Sequence, residues 1–227
     1  ITADGAHASF TRQLGLVKSE PDLVAVRAYY ENVAGADSLL EMHYDATLAP
    51  GYAWIFPLSG GRANVGLGTF VRRSRQRGIN LKQTLAEFIN QNPYAHARLS
   101  QARMVSPFKG YPLRTRMNGV TPVADNILVA GEAAGLVNPL NGEGINTAMV
   151  SGELAAQYAA TALAAGDFSR QQLAGYVQAL QREIGRNHRL FRLFRELIAW
   201  PGVLNRIVSR GQRDRDFAQT LFEVMIE

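Results

Sequence analysis

The chain has 227 residues, 47% of them hydrophobic and 19% charged, with 21 Gly, 9 Pro and no Cys. That length suits one large domain or two small ones with a sizeable core, and the composition excludes collagen-like, disordered and low-complexity classes. The lack of Cys excludes disulfides, thiolate nucleophiles and Cys-ligated zinc or iron–sulfur sites. The four His (His7, His43, His96, His188) are scattered without metal-site spacing, so no metal is expected.

The formal charge is +5, from 24 Lys and Arg against 19 Asp and Glu. Such a balance favours anionic partners without requiring them. Arg concentrates in 72–77 and 182–215. No run of 18 apolar residues offers a membrane-spanning helix, and no basic segment followed by an apolar stretch opens the chain. The expected location is cytoplasmic, with peripheral contact at a membrane surface as the extension argued below.

Residues 1–5 read as the end of a strand entering an Asp-Gly turn, and 7–14 as a short helix stopped by Gly15. From 24 to 71 the texture is β, rich in Val, Tyr and Phe, with Gly-Ala-Asp, Ala-Pro-Gly and Ser-Gly-Gly as turns. Leu81–Gln91 carries a helical pattern that Asn92-Pro93 ends, and 100–116 returns to extended, Pro-punctuated chain. Residues 126–131 read as a short buried parallel strand. A helix follows from about Gly144 to Ala165, and the chain beyond Ser169 reads as helical with a break at Trp200-Pro201-Gly202.

Segment 126–156 carries the clearest chemistry. A strand delivers the chain to Gly131-Glu132-Ala133-Ala134-Gly135, where small residues let a ligand approach the backbone. Glu132 then stands at the strand's C-terminal edge, where open α/β sheets bind ligands, as an acceptor for sugar or ribityl hydroxyls. Asn138 to Gly144 leads into a helix whose first N–H groups suit anionic oxygen or delocalised negative charge. A plain strand–turn–helix, with small residues used only for packing, reads the same segment. Tyr52, Trp54 and Phe56 alternate along one strand face, either as ordinary core or as a pocket wall. Asp4-Gly5 is open between turn chemistry and a ligand role. Leu190, Leu193, Phe194, Leu197 and Ile198 lie at helical spacing among Arg186, Arg189, Arg192 and Arg195. That segment reads as an amphipathic helix covering the sheet, or as a membrane-surface contact with Trp200 near the headgroups. Nucleic acid is not expected, because Arg alternates with apolar residues and no nucleic-acid module accompanies it.

Residues 127–156 resemble the GD-type FAD-binding motif of flavoproteins with the p-hydroxybenzoate hydroxylase fold, and above all the geranylgeranyl reductase family, GDAAGxxxPxxGEGI before an Ala-rich helix. ADGAHASFTRQLG resembles the superfamily's GADGxxSxxR segment, on which Asp4, Gly5, His7, Ser9 and Arg12 fall. Tyr52 to Pro57, eight residues, then Gly66-Leu67-Gly68 is similar to the family's (Y/F)xWxFP…GxG motif. Glu132 stands where the superfamily usually has Asp, and the N-terminal GxGxxG element has no counterpart.

The resemblance implies a mixed α/β fold (α+β in detail). A partial Rossmann-like FAD-binding domain (1–16 and 117–166) is interleaved with an antiparallel-sheet substrate domain (17–116), and helices fill 167–227. It implies the C-terminal portion of an FAD-dependent oxidoreductase that reduces carbon–carbon double bonds of an isoprenoid chain, with NADPH or another donor. The partners implied are an isoprenoid lipid substrate and the missing N-terminal FAD-binding segment. Cofactor-binding candidates are Asp4, Gly5, Arg12, Gly131, Glu132, Ala133, Pro139, Gly142, Glu143, Gly144, Ile145 and Asn146. Catalytic candidates are Tyr52 and Trp54, with Phe56, Pro57, Gly66 and Gly68 shaping the substrate pocket. A monooxygenase or halogenase of the same fold, and a non-catalytic lipid-binding fragment, are the alternatives.

Overall fold

The structure, a computed structural model, describes residues 1–35, 39–44 and 48–226. The chain forms two compact units, one of residues 23–112 and the other of residues 1–22 with 113–227.

The 23–112 unit is an antiparallel sheet with helices packed on it. Its strands are β1 (Leu23–Glu31), β2 (Glu41–His43), β3 (Tyr52–Leu58), β4 (Arg62–Phe70), β5 (Arg103–Met104) and β6 (Lys109–Leu113). They run in the order β2-β3-β4-β1-β5, and β6 also pairs with β1. Period-2 alternation sends Val26, Ala28 and Tyr30 of β1, Ala53 and Ile55 of β3, and Ala63, Val65 and Leu67 of β4 into one core. Helix α3 (Leu81–Gln91) adds Leu85 and Phe88, and α4 (Pro93–Leu99) adds Ala95 and Leu99. Ser59-Gly60-Gly61 is the β3–β4 turn, with Gly60 and Gly61 at φ 73° and 68°. The Gly-Ala-Asp turn at 35–37 extends outside the described residues.

Two features differ from the sequence reading. Asn92-Pro93 ends α3 but also starts α4: the Asn92 side chain accepts from Tyr94 and Ala95 N–H, and Pro93 takes a first-turn position where no donor is needed. The Arg-rich stretch forms a helix of its own, α2 (Val71–Arg77), stopped by left-handed Gly78.

The aromatic residues of β3 lie on the face opposite its core residues. Tyr52, Trp54 and Phe56 are half-buried, whereas Ala53 and Ile55 are buried. Across the ladder Trp54 pairs with Gly66 and Tyr52 with Gly68. A Cβ on Gly66 would fall 2.4 Å from Trp54 Cζ2 and 2.5 Å from the Val26 carbonyl, so only Gly admits the indole over β4. At Gly68 a Cβ would meet Ala25 at an ordinary 3.5 Å.

The 1–22/113–227 unit is built around helix α5 (Ile145–Ala165), with Leu128, Val129, Ala133, Leu136, Ala155 and Tyr176 in its core. The sequence predicts a parallel strand over 126–131. The structure instead pairs β7 (Val123–Ala124) and β8 (Ile127–Leu128) as an antiparallel hairpin, because Asn126 at φ 63° reverses the chain. The parallel contact is a single bridge, Thr2 with Val129. After α5 come α6 (Arg170–Leu173), α7 (Gly175–Leu180), a π-helical turn (Gln181–Gly185), α8 (Arg186–Ile198), α9 (Pro201–Gly211) and α10 (Arg215–Ile226). Tyr176 donates to the Val129 carbonyl (2.9 Å) and lies near that of Ser151 (3.3 Å), which ties α7 to the strand and to α5.

On α8 the inward side belongs to His188, Arg195 and Ile198, so Leu190, Leu193 and Leu197 stay exposed. Of the apolar stripe read as covering the sheet, only Ile198 is buried. Among the described residues no helix is long and apolar enough to cross a membrane.

Replacing Gly66 with Ala should cost about 2–3 kcal/mol through overpacking against fixed backbone, whereas Gly68→Ala stays within about 1 kcal/mol. Urea unfolding of both variants checks this; equal losses would show that Trp54 does not depend on the space at Gly66.

Candidate functional site

Gly131–Ala134 form a single 3-10 turn. Gly131 takes φ 63°, its N–H donates to Ser151 Oγ of α5 at 2.9 Å, and a Cβ there would contact Ala148 at 3.6 Å. Gly135, at φ 73°, would place a Cβ 2.0 Å from the Arg116 carbonyl. The small residues therefore let this turn lie against both α5 and the 113–117 segment. Ala133 is fully buried and belongs to the core.

Glu132 accepts from the Arg114 N–H through Oε1 at 3.1 Å, and no described residue donates to its other oxygen. Burial raises its pKa, against the lowering effect of the Arg114 N–H and the charges of Arg114 and His7. Arg114 itself is 1% exposed. Its Nε donates to the Ala6 carbonyl at 2.6 Å, and its Nη1 to the Ser19 carbonyl and hydroxyl at 2.8 and 3.2 Å. This residue fixes Glu132 to the 4–19 segment, and no local pattern in the sequence marks it.

Asp4 is fully engaged as a cap. Its Oδ1 accepts from Thr11 Oγ1 at 2.5 Å and its Oδ2 from the Phe10 and Thr11 N–H groups at 2.8 and 3.1 Å, at the start of α1 (Ser9–Gln13). Burial works against its ionised form, yet the Thr11 and Phe10 bonds hold its pKa below the ordinary value. Gly5 takes φ 71° in the turn. Arg12 pairs with Glu20 at 2.8 Å and donates to the Ser19 carbonyl at 2.6 Å.

Residues 138–144 wind tightly. Asn138 Oδ1 accepts from Leu140 N–H, Asn141 Oδ1 from Glu143 N–H, and Gly142 N–H donates to the Asn138 carbonyl. Pro139 is buried, and Gly142 sits at φ 74° facing open space. Gly144 would place a Cβ 3.0 Å from Val137. Glu143 caps α5 by accepting from Asn146 N–H at 2.7 Å, so one of the donors expected for a ligand is already used. The N–H groups of Ile145 and Thr147 have no acceptor among the described residues, and the Ile145 side chain is exposed. A carboxylate with one oxygen to spare, two idle N–H donors and the positive end of a 21-residue helix fit a polyol-bearing, anionic ring system such as FAD. Behind this loop His188 of α8 contacts the Val137 carbonyl through Nε2 at 3.2 Å.

In the 23–112 unit the aromatic row continues from Tyr44 through Tyr52 and Trp54 to Phe56, with centroid spacings of 5.6, 5.9 and 6.0 Å. Trp54 Nε1 donates to Asn64 Oδ1 at 3.1 Å. Burial pushes the Tyr52 phenol up to about 12, so it holds its proton at neutral pH. Pro57, next along β3, is half-buried.

Residues 23–110 match the family described as the geranylgeranyl reductase catalytic domain. A digeranylgeranylglycerophospholipid reductase of Methanoculleus marisnigri is 35% identical over 180 residues, 78% of this chain and 43% of that protein. The chain belongs to the geranylgeranyl reductase family. A menaquinone reductase of Mycobacterium tuberculosis is 34% identical over 164 residues, 69% of this chain and 40% of its own. A geranylgeranyl bacteriochlorophyll reductase-like protein of Thermoplasma acidophilum shares the fold at a TM-score of 0.82 with 23% identity, over 98% of this chain and 60% of that one. A flavin-dependent brominase shares it at 0.73 with 18% identity, over 98% and 56%. This family member spans about half the length of the curated relatives it matches.

Burial lowers the His188 pKa; the Val137 contact and Asp22 raise it, and Arg192 and Arg195 lower it further. The unfolded chain therefore takes up this proton first as pH falls. Stability from this site is complete above about pH 6.5 and declines as pH drops through that value. Urea midpoints at pH 7.5 and 5.5 should separate in the parent and converge in His188→Gln; an unchanged separation in the variant would assign the effect elsewhere.

Proposed function

We propose that this chain forms the C-terminal half of an FAD-dependent reductase that hydrogenates carbon–carbon double bonds of a geranylgeranyl-type lipid. The observation that carries the reading is the aromatic row turned away from the core, in the segment that matches the family's catalytic domain. The relative named for a digeranylgeranylglycerophospholipid supports a prenyl lipid as substrate, and the one named for menaquinone leaves the head group open.

When bound, FAD supplies hydride from its reduced ring. Glu132 offers its spare oxygen to ribityl hydroxyls, and the Gly142–Gly144 turn leaves room for a ring at the start of α5. The idle N–H groups of Ile145 and Thr147 and the helix dipole favour negative charge there. Asp4 and Gly5 hold the turn that Arg114 ties to Glu132. Trp54 and Phe56 give an apolar wall for an isoprenoid chain, with Pro57 at its end of the strand and Gly66 and Gly68 keeping it unobstructed. Tyr52 holds the proton that the second carbon of the bond requires. NADPH or another donor restores the reduced cofactor.

The reading extends to the membrane surface. Segment 182–215 carries nine Arg against three Asp or Glu, a local +6 in a chain whose total is +5. Leu190, Leu193 and Leu197 are exposed at spacings that align them on one side of α8, and Trp200 is exposed just beyond its end. That combination suits a helix lying in an anionic bilayer surface, where a lipid substrate is reached without leaving the membrane.

The test combines this chain with the upstream half of a full-length family relative, supplies reduced flavin anaerobically, and presents a geranylgeranyl lipid in anionic vesicles. The product should gain two hydrogens per reduced bond by mass spectrometry. Trp54→Ala should lower kcat/KM at least about ten-fold, a loss of about 1.4 kcal/mol, while Tyr52→Phe lowers kcat with KM retained. Bound flavin with an unchanged lipid mass would refute the proposal.

A further inference from the structure

The reaction above gives no task to the second arginine-rich stretch of the chain, which forms α2. Four of its seven residues are Arg (Arg72, Arg73, Arg75 and Arg77), and none is acidic. Like charges one turn apart work against a helix, so this grouping does not stabilise the fold. No residue of α2 is fully buried, which leaves the guanidinium heads within reach of a ligand.

Little counter-charge is built in. Among the described residues Arg72, Arg73 and Arg75 pair with no carboxylate. Arg73 Nε is buried and meets no acceptor there. Burial, and after it the charge of Arg77, lower the Arg73 pKa, as expected of a cation held beside another cation. A buried donor without an acceptor costs stability until a partner supplies one.

The place of α2 in the sheet narrows the partner. The helix leaves β4 directly after Phe70, and Gly68 of β4 pairs with Tyr52 at the start of β3. Because β3 and β4 are antiparallel, the aromatic row ends, at Tyr52, on the edge of the sheet from which α2 continues. Along that direction the row changes character. Phe56 and Trp54 are largely apolar, Tyr52 and its neighbour Tyr44 carry hydroxyls, and α2 adds cations. An amphiphile with an apolar tail and an anionic head matches that order. Arginine forks suit the several oxygens of a phosphate, whereas an uncharged quinone leaves the cluster without a counter-charge.

We infer that Arg73 and Arg77 of α2 bind the phosphate of a prenyl lipid whose chain lies on Trp54 and Phe56. The pair thereby selects a phosphate-bearing head over an uncharged quinone. This inference rests on the prenyl-lipid reading above and settles the head group that the two kinds of relative leave open.

Trp200→Phe in the 227-residue chain leaves Trp54 as the fluorescent reporter of the wall. Farnesyl monophosphate and farnesol, which share one prenyl chain, are titrated below their micelle concentrations at about 0.05 and 0.5 M salt. The phosphate should bind at least about ten-fold more tightly at low salt and lose most of that advantage at high salt. Arg73→Gln with Arg77→Gln should remove the preference while farnesol binding, which reports a folded wall, stays unchanged. Arg73→Gln alone should remove part of it, and charge reversal at Arg189 and Arg192 should leave it intact. Equal binding of the two probes, a preference that survives the α2 substitutions, or one lost with the Arg189 and Arg192 reversal would overturn the inference and leave the prenyl-lipid reading standing. Inorganic phosphate that raises the thermal midpoint through Arg73, without discrimination between the prenyl probes, would assign the site to free phosphate and overturn the head-group assignment. Binding of neither probe would remove the apolar wall, and the head-group site with it.

Discussion

The arrangement of the cofactor-type residues depends on one buried guanidinium. Removing a charge from water is expensive, and Arg114 offsets part of that cost by placing Nε on the Ala6 carbonyl and Nη1 on the Ser19 carbonyl, while its buried Nη2 has no partner among the described residues. Its own N–H meets Glu132. Three stretches far apart in sequence are thereby fixed to one residue. Asp22 adds a second clamp beside it, accepting from the Thr115 N–H and hydroxyl at 2.8 and 2.7 Å and pairing with Arg116 at 3.2 Å. These bonds hold together the two places where the chain leaves and re-enters this unit.

Around that clamp, the close packing depends on where side chains are missing. Gly131 and Gly135 let the turn bearing Glu132 lie against its neighbours, and Gly144 packs its backbone on Val137. Gly66 does the corresponding task in the sheet by admitting the Trp54 ring. The spacing between the WxFP and GxG parts of the family motif is thus a register statement. It places Tyr52 and Trp54 opposite the two glycines across a tight hairpin.

Much of this was legible in the sequence where the signal was local. Helices α3 and α5 follow from periodicity and caps, and β3 and β4 from alternation and a Gly-Gly turn. Asn126 illustrates a failure: the apolar run after it suggests a parallel strand, but its left-handed backbone closes a hairpin first. The stripe on α8 illustrates another, since periodicity identifies a helix face without saying what meets it. Arg114, Glu143 as a helix cap and the His188 contact are products of tertiary placement, and no neighbouring residue announces them. Asp4, which the sequence leaves open, makes turn and cap bonds to residues six and seven positions away, contacts that a local reading does not reveal.

The central claim is that the Glu132 turn and the start of α5 form half of a flavin site. Its most direct measurement is the visible absorbance of this chain purified together with an upstream half from a relative. The account predicts flavin bands that remain through gel filtration and diminish in Glu132→Ala. A folded, stably associated pair that carries no flavin after reconstitution with FAD would contradict it.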